Sequence, residues 1–414
     1  MPTYRLLLAV LAPLLVIYTA WQALRARELR YLRERLGWYK GRPGAGGIWL
    51  HAASVGEVNA AAPLLEYLHR RCPTLPITVS TVTTTGAAVV RRRLPQAVEH
   101  AYLPLDFPYA VRRFLSHHRP GCALILETEI WPTLFDQCAR RGIPLLIVNG
   151  RLSQRTLGAA AWLRRIYRAA LTEVTAVLAR SPEDAAAYET LGAPAKRVHT
   201  LGNIKFAVTT SPAAPIDLGR PYVLAASTHD DEELRLARAW QQAAVGHLLV
   251  IAPRHPHRLA SILKQLAPLG VNVASRSRGE PVQPDTQVYV ADTFGELSRF
   301  IAGAEIVFMG GSLIPRGGHN ILEVGAAGKP VVFGPHMENF AQEARLFLKG
   351  GAGAEAPDEE GMLKTLQGLL DDPAKRRHMG QQGRRLLEEQ GGVIEAYAEA
   401  IAEYCPMLQV QERP

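Results

Sequence analysis

Short and almost wholly apolar runs alternate with helical patterns along the chain after residue 42. Runs of this kind are typical of strands buried on both faces, which occur in parallel sheets covered by helices. Five such runs lie in each half of the chain: 47–54, 77–83, 122–128, 144–150 and 176–181, then 222–228, 247–255, 287–293, 306–312 and 330–335. Two series exceed what one compact domain holds, so the sequence predicts an α/β protein with two parallel-sheet domains.

The domain boundaries follow from composition. Residues 208–219 (VTTSPAAPIDLG) are rich in proline and small polar residues and are predicted to form the linker. An N-terminal domain is therefore expected at 43–207, and a C-terminal domain that includes the terminal helices is expected at 220–414. A separate N-terminal segment, residues 1–42, precedes both domains.

The N-terminal segment contains nineteen residues without a charge, Leu6 to Leu24. At about 1.5 Å per residue, such a helix nearly matches the roughly 30 Å hydrocarbon core of a bilayer. Seven basic residues follow it within the segment and only Arg5 precedes it, so the positive-inside rule places the rest of the chain in the cytoplasm. We expect an uncleaved membrane anchor, and a helix docked on the protein itself stays open as the alternative.

The net charge of +9 is unevenly distributed. Residues 1–42 carry eight basic and two acidic side chains, residues 43–205 carry nineteen and eleven, and residues 206–414 carry twenty and twenty-five. A basic front half favours an anionic partner, and charge alone leaves a membrane surface, a nucleic acid and a phosphorylated substrate as alternatives.

Several common chemistries lack their motifs. The sequence contains no GxxxxGK[ST], HExxH or GxSxG pattern, which argues against a P-loop, a zinc protease and an α/β-hydrolase. No RRM, KH or helix-turn-helix signature accompanies the basic residues. The four cysteines lie far apart without a CxxC, which disfavours a structural zinc site or a redox pair.

Polar clusters follow the predicted strands, where open α/β sheets bind their ligands. The clusters are HAASVGE (51–57), ETEIWP (127–132), NGRLS (149–153), GNIK (202–205), STHDDEE (227–233), PRHPHR (253–258), DTFGEL (292–297) and GGSLIPRGGHNILE (310–323). Because they occur in both halves, we expect a cleft between two domains with the reaction taking place there.

Two of these clusters carry candidate acids. Ser54 and Glu57 begin a predicted helix, where N–H groups and Gly56 favour an anion or a hydroxyl and where Glu57 is a candidate general base. Ser-x-x-Glu is also a capping box, so a structural role stays open. Glu127 and Glu129 would face the same side if their strand continues, and buried paired acids are costly unless they serve a site.

The second half contains a glycine-rich turn that runs into a helix. Gly317 and Gly318 can expose N–H groups to a phosphate, and Glu323 can accept hydrogen bonds from a ribose. Arg254 follows another strand and could neutralise the same phosphate. His255 and His257 are the tempting metal pair, but no third ligand is evident, so no metal is expected.

Taken in order, the clusters resemble the Kdo transferases of lipopolysaccharide biosynthesis, which are glycosyltransferase family 30. These enzymes transfer 3-deoxy-D-manno-octulosonic acid (Kdo) from CMP-Kdo to a lipid A precursor. The resemblance extends from the apolar segment to about Asn339 and keeps the charged and glycine positions of each motif. It implies the GT-B fold, with two Rossmann-like domains that face each other across a cleft, the acceptor on the N-terminal one and the nucleotide on the C-terminal one.

The resemblance also implies roles for individual residues. It makes Glu57 the catalytic base, gives Glu129 and Lys205 a role in supporting the transition state, and puts Ser54 and Gly56 on the acceptor side. The residues expected to hold CMP are Pro253, Arg254, Gly295, Glu296, Leu297, Gly317, Gly318, Asn320, Ile321, Leu322 and Glu323. CMP-Kdo is the donor substrate, and neither a cofactor nor a metal is expected.

The expected reaction is an inverting transfer to the lipid A precursor lipid IVA at the cytoplasmic face of the inner membrane. Residues 6–24 would provide the membrane contact, and no nucleic-acid partner is expected. Two other functions stay open. A different envelope GT-B enzyme that uses a UDP-sugar would need a metal or a second cation cluster for its diphosphate, and a membrane-anchored nucleic-acid-binding protein would show salt-sensitive affinity.

Overall fold

The computed structural model describes residues 2–41, 44–207, 213–243 and 246–409. The predicted boundary at residues 42 and 43 and the first part of the predicted linker, 208–212, lie outside the described residues. The strands are β1 (Ile48–His51), β2 (Ile77–Thr81), β3 (Val98–Tyr102), β4 (Cys122–Leu126), β5 (Leu145–Gly150), β6 (Ala176–Ala179), β7 (Val198–Thr200), β8 (Tyr222–Thr228), β9 (Leu248–Pro253), β10 (Val273–Ser275), β11 (Val288–Val290), β12 (Ile306–Met309), β13 (Val331–Phe333) and β14 (Gly353–Glu355).

Helices separate almost all of these strands. They are α1 (Pro2–Ala26), α2 (Leu29–Arg35), α3 (Val55–Arg71), α4 (Thr84–Arg93), α5 (Pro108–His118), α6 (Pro132–Arg140), α7 (Gln154–Leu157), α8 (Ala161–Leu171), α9 (Pro182–Leu191), α10 (Glu232–Gln242), α11 (Leu259–Leu266), α12 (Leu297–Gly303), α13 (Leu322–Ala326), α14 (Ala341–Lys349), α15 (Glu359–Leu370), α16 (Pro373–Glu389), α17 (Val393–Tyr404) and α18 (Pro406–Gln409). Short 3-10 turns occupy Ala195–Arg197, Ile204–Phe206, Pro256–Arg258, Ala267–Leu269 and Glu338–Phe340.

Each half of the chain forms one seven-stranded sheet in which the strand pairs are parallel. The first sheet has the order β3-β2-β1-β4-β5-β6-β7, and the second has the order β10-β11-β9-β8-β12-β13-β14. The order reverses between β1 and β4 in the first sheet and between β8 and β12 in the second. Adjacent loops diverge at such a switch point and leave room for a ligand, so the fold itself indicates where each sheet binds one. The predicted α/β class with two parallel sheets is confirmed.

The sequence missed the strands at the sheet edges. In the first sheet β3 and β7 are partly exposed, and so is β14 in the second sheet, whereas β10 is mostly buried but very short. A strand that faces solvent has no continuous apolar run, and these four are only three to five residues long. The ten central runs were all found, because burial on both faces requires apolar residues throughout.

The chain forms two compact units, and the second contains residues 208–391. The residues from Gly392 onward belong to the first unit, whereas the sequence had assigned 220–414 to one C-terminal domain. The reason is the apolar face of α17, which is buried in the core between α3 and the first sheet through Val393, Ile394 and Ile401.

A disulfide joins Cys405, which follows α17, to Cys122 in β4. The two cysteines are 283 residues apart in the sequence. The absence of a CxxC argues only against a local redox pair, and local spacing could not reveal this long-range cross-link, because chain reversal brings the two cysteines together.

The apolar N-terminal helix α1 lies against the first unit along one of its faces. Leu8, Ala12, Leu15 and Val16 pack on a small cluster formed by Leu105, Phe107 and Ala110. The hydroxyl of Tyr4 donates a hydrogen bond of 2.8 Å to buried Asp106, and Arg5 pairs with Asp136 at 3.2 Å.

The opposite face of α1 is an apolar ridge open to solvent. Its members recur every three or four residues and are each at least half exposed: Leu6, Val10, Leu14, Ile17, Trp21 and Leu24. Within the described residues α1 is the one helix long and apolar enough to cross a membrane, which by itself is weak evidence for a membrane anchor.

Candidate active site and nucleotide site

The switch point of the first sheet brings two sequence motifs together. His51 ends β1 and pairs in register with Ile125 of β4, so the loop after β4 begins beside it. That loop carries Glu127 and Glu129, and the loop after β1 carries Glu57 at the start of α3. Three carboxyl groups from two motifs therefore lie at one strand edge.

Glu57 is held by the start of its own helix. Ser54 is the N-cap of α3, and its hydroxyl oxygen accepts a hydrogen bond from the Glu57 N–H at 3.4 Å. The Glu57 carboxylate in turn accepts from the Ala53 N–H at 2.8 Å and from the Ser54 hydroxyl at 3.1 Å. The structural alternative is therefore present in the molecule, because this is a reciprocal capping arrangement.

The capping contacts do not make Glu57 a weak base. The pKa of Glu57 is raised from 4.5 to about 7, mainly by burial and in addition by the negative charges of Glu127 and Glu129, and the hydrogen bonds from Ala53 and Ser54 only partly oppose this rise. A carboxylate with a pKa near 7 accepts protons far better than an ordinary one, and about half of it is ionised at pH 7. The geometry therefore combines a capping role with a pKa that is compatible with a general base, and the catalytic role of Glu57 stays a prediction.

The Glu127 side chain does not point to the same side as Glu129, as it would if the strand continued. β4 ends at Leu126, and Glu127 has a φ of +56°, so the strand does not continue and the two acids do not share a face. The Glu127 carboxylate instead pairs with Lys205 at 2.9 Å and lies 3.9 Å from Nε of Arg151. Two motifs expected to act together, ETE and GNIK, therefore meet through Glu127 and not through Glu129.

Glu129 lies beside a buried histidine. Its Oε2 is 3.9 Å from Nε2 of His51, whose Nδ1 is 2.9 Å from the Ser80 hydroxyl. Burial raises the pKa of Glu129, but the nearby His51 and Trp131 side chains and the Arg35 charge together outweigh it, so the pKa lies below 4.5. The pKa of Glu57 is thus raised and that of Glu129 is lowered. Such opposite shifts are typical of a pair in which one carboxylate acts as a base and the other stays ionised.

The switch point of the second sheet gathers basic and imidazole groups. Arg254 follows β9, and Pro253 is buried as the last residue of that strand. The rings of His229, after β8, and His319, after β12, stack at 5.1 Å with their Nε2 atoms 2.8 Å apart. The pKa of His319 is lowered to about 4, mainly by burial and in addition by the positive charges of neighbouring groups, Arg254 among them.

A buried carboxylate holds the loops of this second site in place. Glu232 accepts hydrogen bonds from the N–H groups of His229 at 3.0 Å, Gly311 at 2.7 Å and Leu313 at 3.3 Å. It therefore ties the loop after β8 to the loop after β12. Burial raises the pKa of Glu232, and these three donors oppose that shift.

The glycines of the turn before α13 are required by its geometry. Gly317 has a φ of +85°, and a Cβ there would lie 2.2 Å from Nδ2 of Asn339. Gly318 has a φ of +69°, and a Cβ there would lie 2.2 Å from the Met337 sulfur. No L side chain fits either position without moving its neighbour.

Some of the remaining residues predicted to bind the nucleotide expose their side chains, and others can offer only backbone groups. Asn320 caps α13 through the Leu322 N–H at 3.1 Å, and its amide lies 3.4 Å from the exposed Glu323 carboxylate. Ile321 and Leu322 are buried, so they can offer a ligand only backbone groups. Gly295 has a φ of +83° and precedes the turn into α12, which starts at Leu297.

The Glu296 side chain is occupied within the protein. Arg276 makes a two-pronged ion pair with it at 2.8 and 3.0 Å, and Thr293 donates a hydrogen bond at 2.6 Å. These hydrogen bonds, the Arg276 bond first, lower the pKa of Glu296 to about 2. A role for Glu296 in nucleotide binding therefore needs its backbone and not its carboxylate.

Comparison with known proteins identifies the family. Residues 30–208 match the family model described as 3-deoxy-D-manno-octulosonic-acid transferase (kdotransferase). A 3-deoxy-D-manno-octulosonic acid transferase of Bordetella pertussis is 35% identical over 97% of this chain and 98% of its own length. The chain belongs to the Kdo transferase family. It is therefore a glycosyltransferase of lipopolysaccharide biosynthesis, as the resemblance implied.

Solved structures agree on the fold of this Kdo transferase. A putative UDP-N-acetylglucosamine 2-epimerase from Listeria monocytogenes covers 87% of this chain and 97% of its own length, with a TM-score of 0.60 and 13% identity. The calicheamicin glycosyltransferase covers 88% and 100%, with a TM-score of 0.53 and 16% identity. At these identities the likeness concerns the fold alone, and it confirms the GT-B class.

Sequence reasoning missed several residues that build these sites. His51, His229 and Glu232 lie inside motifs that were recognised, but nothing in the pattern separates them from their neighbours. Arg35 comes from α2 and is buried, with its guanidinium donating to the Leu103 carbonyl at 2.7 Å. It had been counted only as part of the basic N-terminal segment, and no local signal marks it as a neighbour of Glu129.

Proposed function

We propose that this enzyme transfers Kdo from CMP-Kdo to lipid IVA with inversion of configuration, and that Glu57 is the general base. The observation that carries the proposal is the pKa of Glu57, raised by burial to about 7 within a cluster of carboxyl groups. An inverting transfer needs a base that is ionised at neutral pH and still strong enough to accept a proton from a sugar hydroxyl.

In the proposed step, the Glu57 carboxylate removes the proton of an acceptor hydroxyl. The hydroxyl oxygen attacks the anomeric carbon of Kdo from the face opposite CMP. The bond between that carbon and the CMP phosphate oxygen breaks, its electron pair leaves with CMP, and the new bond forms on the attacking face. General-base assistance of this kind is typically worth about 10²–10⁴-fold in rate.

Lys205 and Glu129 are proposed to stabilise the transition state of this step. Lys205 supplies a fixed cation, because its ammonium group is held 2.9 Å from Glu127. Glu129 keeps a permanent negative charge, which its lowered pKa supports, and Ser54 and Gly56 would lie next to the acceptor hydroxyl. A negative charge near the anomeric carbon stabilises the positive charge that develops there as the leaving group departs.

The donor is proposed to bind at the switch point of the second sheet. Arg254 is exposed, and its positive charge contributes to lowering the pKa of His229 and His319 in the neighbouring loops. A single phosphate could therefore pair with Arg254 at this site. The turn at Gly317 and Gly318 would bring backbone close to the nucleotide, and Asn320 and Glu323 would bind the ribose. Pro253, the Gly295–Leu297 turn, Ile321 and Leu322 would contribute backbone contacts.

The membrane contact is proposed to be the exposed ridge of α1, at the cytoplasmic face of the inner membrane. The opposite face of the helix is already packed on the first unit, so a spanning orientation would first have to break the Tyr4 and Arg5 contacts. A helix that lies in the membrane surface keeps them and buries the ridge among the acyl chains. The basic residues that follow α1 would then meet anionic headgroups, at about 1 kcal/mol each.

The proposal is tested by the variant Glu57→Ala with CMP-Kdo and tetraacylated lipid A precursor. We expect CMP affinity to stay within about twofold and Kdo transfer to fall at least about 10²-fold, as the loss of a general base predicts. Mass spectrometry of the product counts the Kdo units, and its NMR coupling pattern gives the anomeric configuration. Retained transfer would move the base elsewhere, and a retained configuration would exclude the single displacement.

A further inference from the structure

Two buried tyrosines hold the backbone on either side of the Glu127–Lys205 ion pair. Tyr188 in α9 donates from its hydroxyl to the Glu127 carbonyl at 2.8 Å and lies 3.3 Å from the Arg151 carbonyl. Tyr397 in α17 donates to the Gly202 carbonyl at 2.9 Å and lies 3.3 Å from the Leu178 carbonyl. Both side chains are completely buried.

The backbone that Tyr188 contacts is not in a relaxed conformation. Glu127 has a φ of +56°, a strained conformation for a non-glycine residue that persists only where neighbouring groups enforce it. The N–H of Glu127 is fixed on the Val148 carbonyl at 2.9 Å, and the Tyr188 hydroxyl fixes its C=O. The direction of the Glu127 side chain is therefore set from both sides of its Cα.

The backbone that Tyr397 contacts is the start of the turn that carries Lys205. Gly202 has a φ of +97°, and three residues later the Lys205 ammonium reaches Glu127 at 2.9 Å. The turn is also bound at the Ile204 N–H by the Asn149 side chain at 3.2 Å. Tyr397 is the one of these contacts that comes from the C-terminal end of the chain.

The chemistry of the two hydroxyls suits a permanent donor. Burial raises the pKa of both tyrosines well above its ordinary value of 10, so neither hydroxyl ionises at any pH at which the enzyme works. Both phenol rings lie within the apolar cores of the first unit and are rigid. A rigid donor on a carbonyl transmits position and adds no charge to the site.

We propose that Tyr188 and Tyr397 are positioning residues that jointly preorganise the Glu127–Lys205 pair for catalysis. The inference rests on the proposed role of Lys205 in transition-state stabilisation. Neither tyrosine contacts a reacting atom in this account. Each fixes the backbone under one member of the pair, so the cation is in place before the substrate arrives.

The test uses full-length enzyme with the variants Tyr188→Phe and Tyr397→Phe, which remove one hydroxyl and keep the ring. Tyr222→Phe is the matched control, because the Tyr222 hydroxyl is also buried on a carbonyl, that of Phe300 at 2.7 Å, in the second unit. We expect kcat to fall about tenfold in each of the first two variants, since small displacements of catalytic groups cost about that much or more. The KM for CMP-Kdo and the affinity for CMP should change less than about twofold, and the control should keep its kcat.

The decisive measurement combines each tyrosine variant with Lys205→Met. If the tyrosines act through Lys205, their effect on kcat disappears in the Lys205→Met background, whereas a general loss of stability would add to it. Tyrosine variants as active as the Tyr222→Phe control, or effects that add fully to Lys205→Met, would overturn the inference and leave the proposed function intact. Full activity of Lys205→Met itself would overturn both this inference and the proposed role of Lys205.

Discussion

The pH dependence of transfer gives the sharpest check on the first-unit site. Glu57 has a pKa of about 7 in place of 4.5, because burial comes first among the causes and two neighbouring carboxylates add to it. The base is therefore protonated and inactive below pH 7. We expect kcat/KM to fall about tenfold for each pH unit below 7, since only the ionised fraction can accept a proton.

The assay is the initial rate of CMP release from CMP-Kdo in the presence of acceptor, between pH 5.5 and pH 8.5. With an ordinary pKa of 4.5, about 97% of the carboxyl would still be ionised at pH 6 and the profile would be flat there. With a pKa of about 7, only about 10% is ionised at pH 6. A flat profile down to pH 5.5 would refute both the raised pKa and the assignment of Glu57 as base.

A second variant tests the physical cause of the shift. Glu129→Gln removes one of the two negative charges that raise the Glu57 pKa, so the acid limb of the profile should move to lower pH even if the rate at the plateau falls. Glu189→Gln makes the same substitution at an exposed position of α9 and should leave the limb in place. An unmoved limb in Glu129→Gln would mean that the Glu129 charge does not contribute to the raised pKa of Glu57.

Three further predictions concern stability and nucleotide binding. Because the folded-state pKa of Glu57 is raised, the stability that its protonated form contributes is present below pH 4.5 and lost as the pH rises through 7. At pH 8 the free energy of unfolding of Glu57→Gln should therefore exceed that of wild type by up to about 3 kcal/mol. Thermal melts should show this difference shrinking towards pH 5. Gly317→Ala should weaken CMP binding about tenfold by calorimetry, whereas Gly270→Ala, which also has a positive φ but open space around it, should not. Glu232→Ala leaves three N–H groups without their acceptor, so it should destabilise the second unit by about 3 kcal/mol and weaken CMP binding. An unchanged melting temperature would contradict the role of Glu232 in holding the two loops together.

The sequence was most informative where one physical requirement decided the residues. Strands buried on both faces must be apolar, so the ten central strands were found, and the polar residues that follow them were in the right places. The half-exposed edge strand β3 (VEHAY) satisfies no such requirement, because Glu99 points to solvent. It was missed for that reason.

Other features depend on contacts that no local pattern encodes. The direction of Glu127 is set by a positive φ and by a tyrosine 61 residues away, so the alternation that would put Glu127 and Glu129 on the same side ends with β4 at Leu126. The return of α17 to the first unit depends on a core shared over nearly two hundred residues. The capping box at Ser54 and Glu57 shows a different limit, because sequence treated the structural and catalytic roles as alternatives and the geometry is compatible with both.

The C-terminal position of α17 has a consequence for how the protein is made. Tyr397 and the Gly202 carbonyl that it binds are 195 residues apart. At about 5–20 residues per second, the ribosome therefore adds Tyr397 roughly 10–40 s after Gly202. During that interval the first unit must wait with a gap in its core where Ile394 and Ile401 will pack. A chain that ends before α17 would thus lack part of the core of its first unit, and we expect the Lys205 turn to be completed only in chains translated through Tyr397.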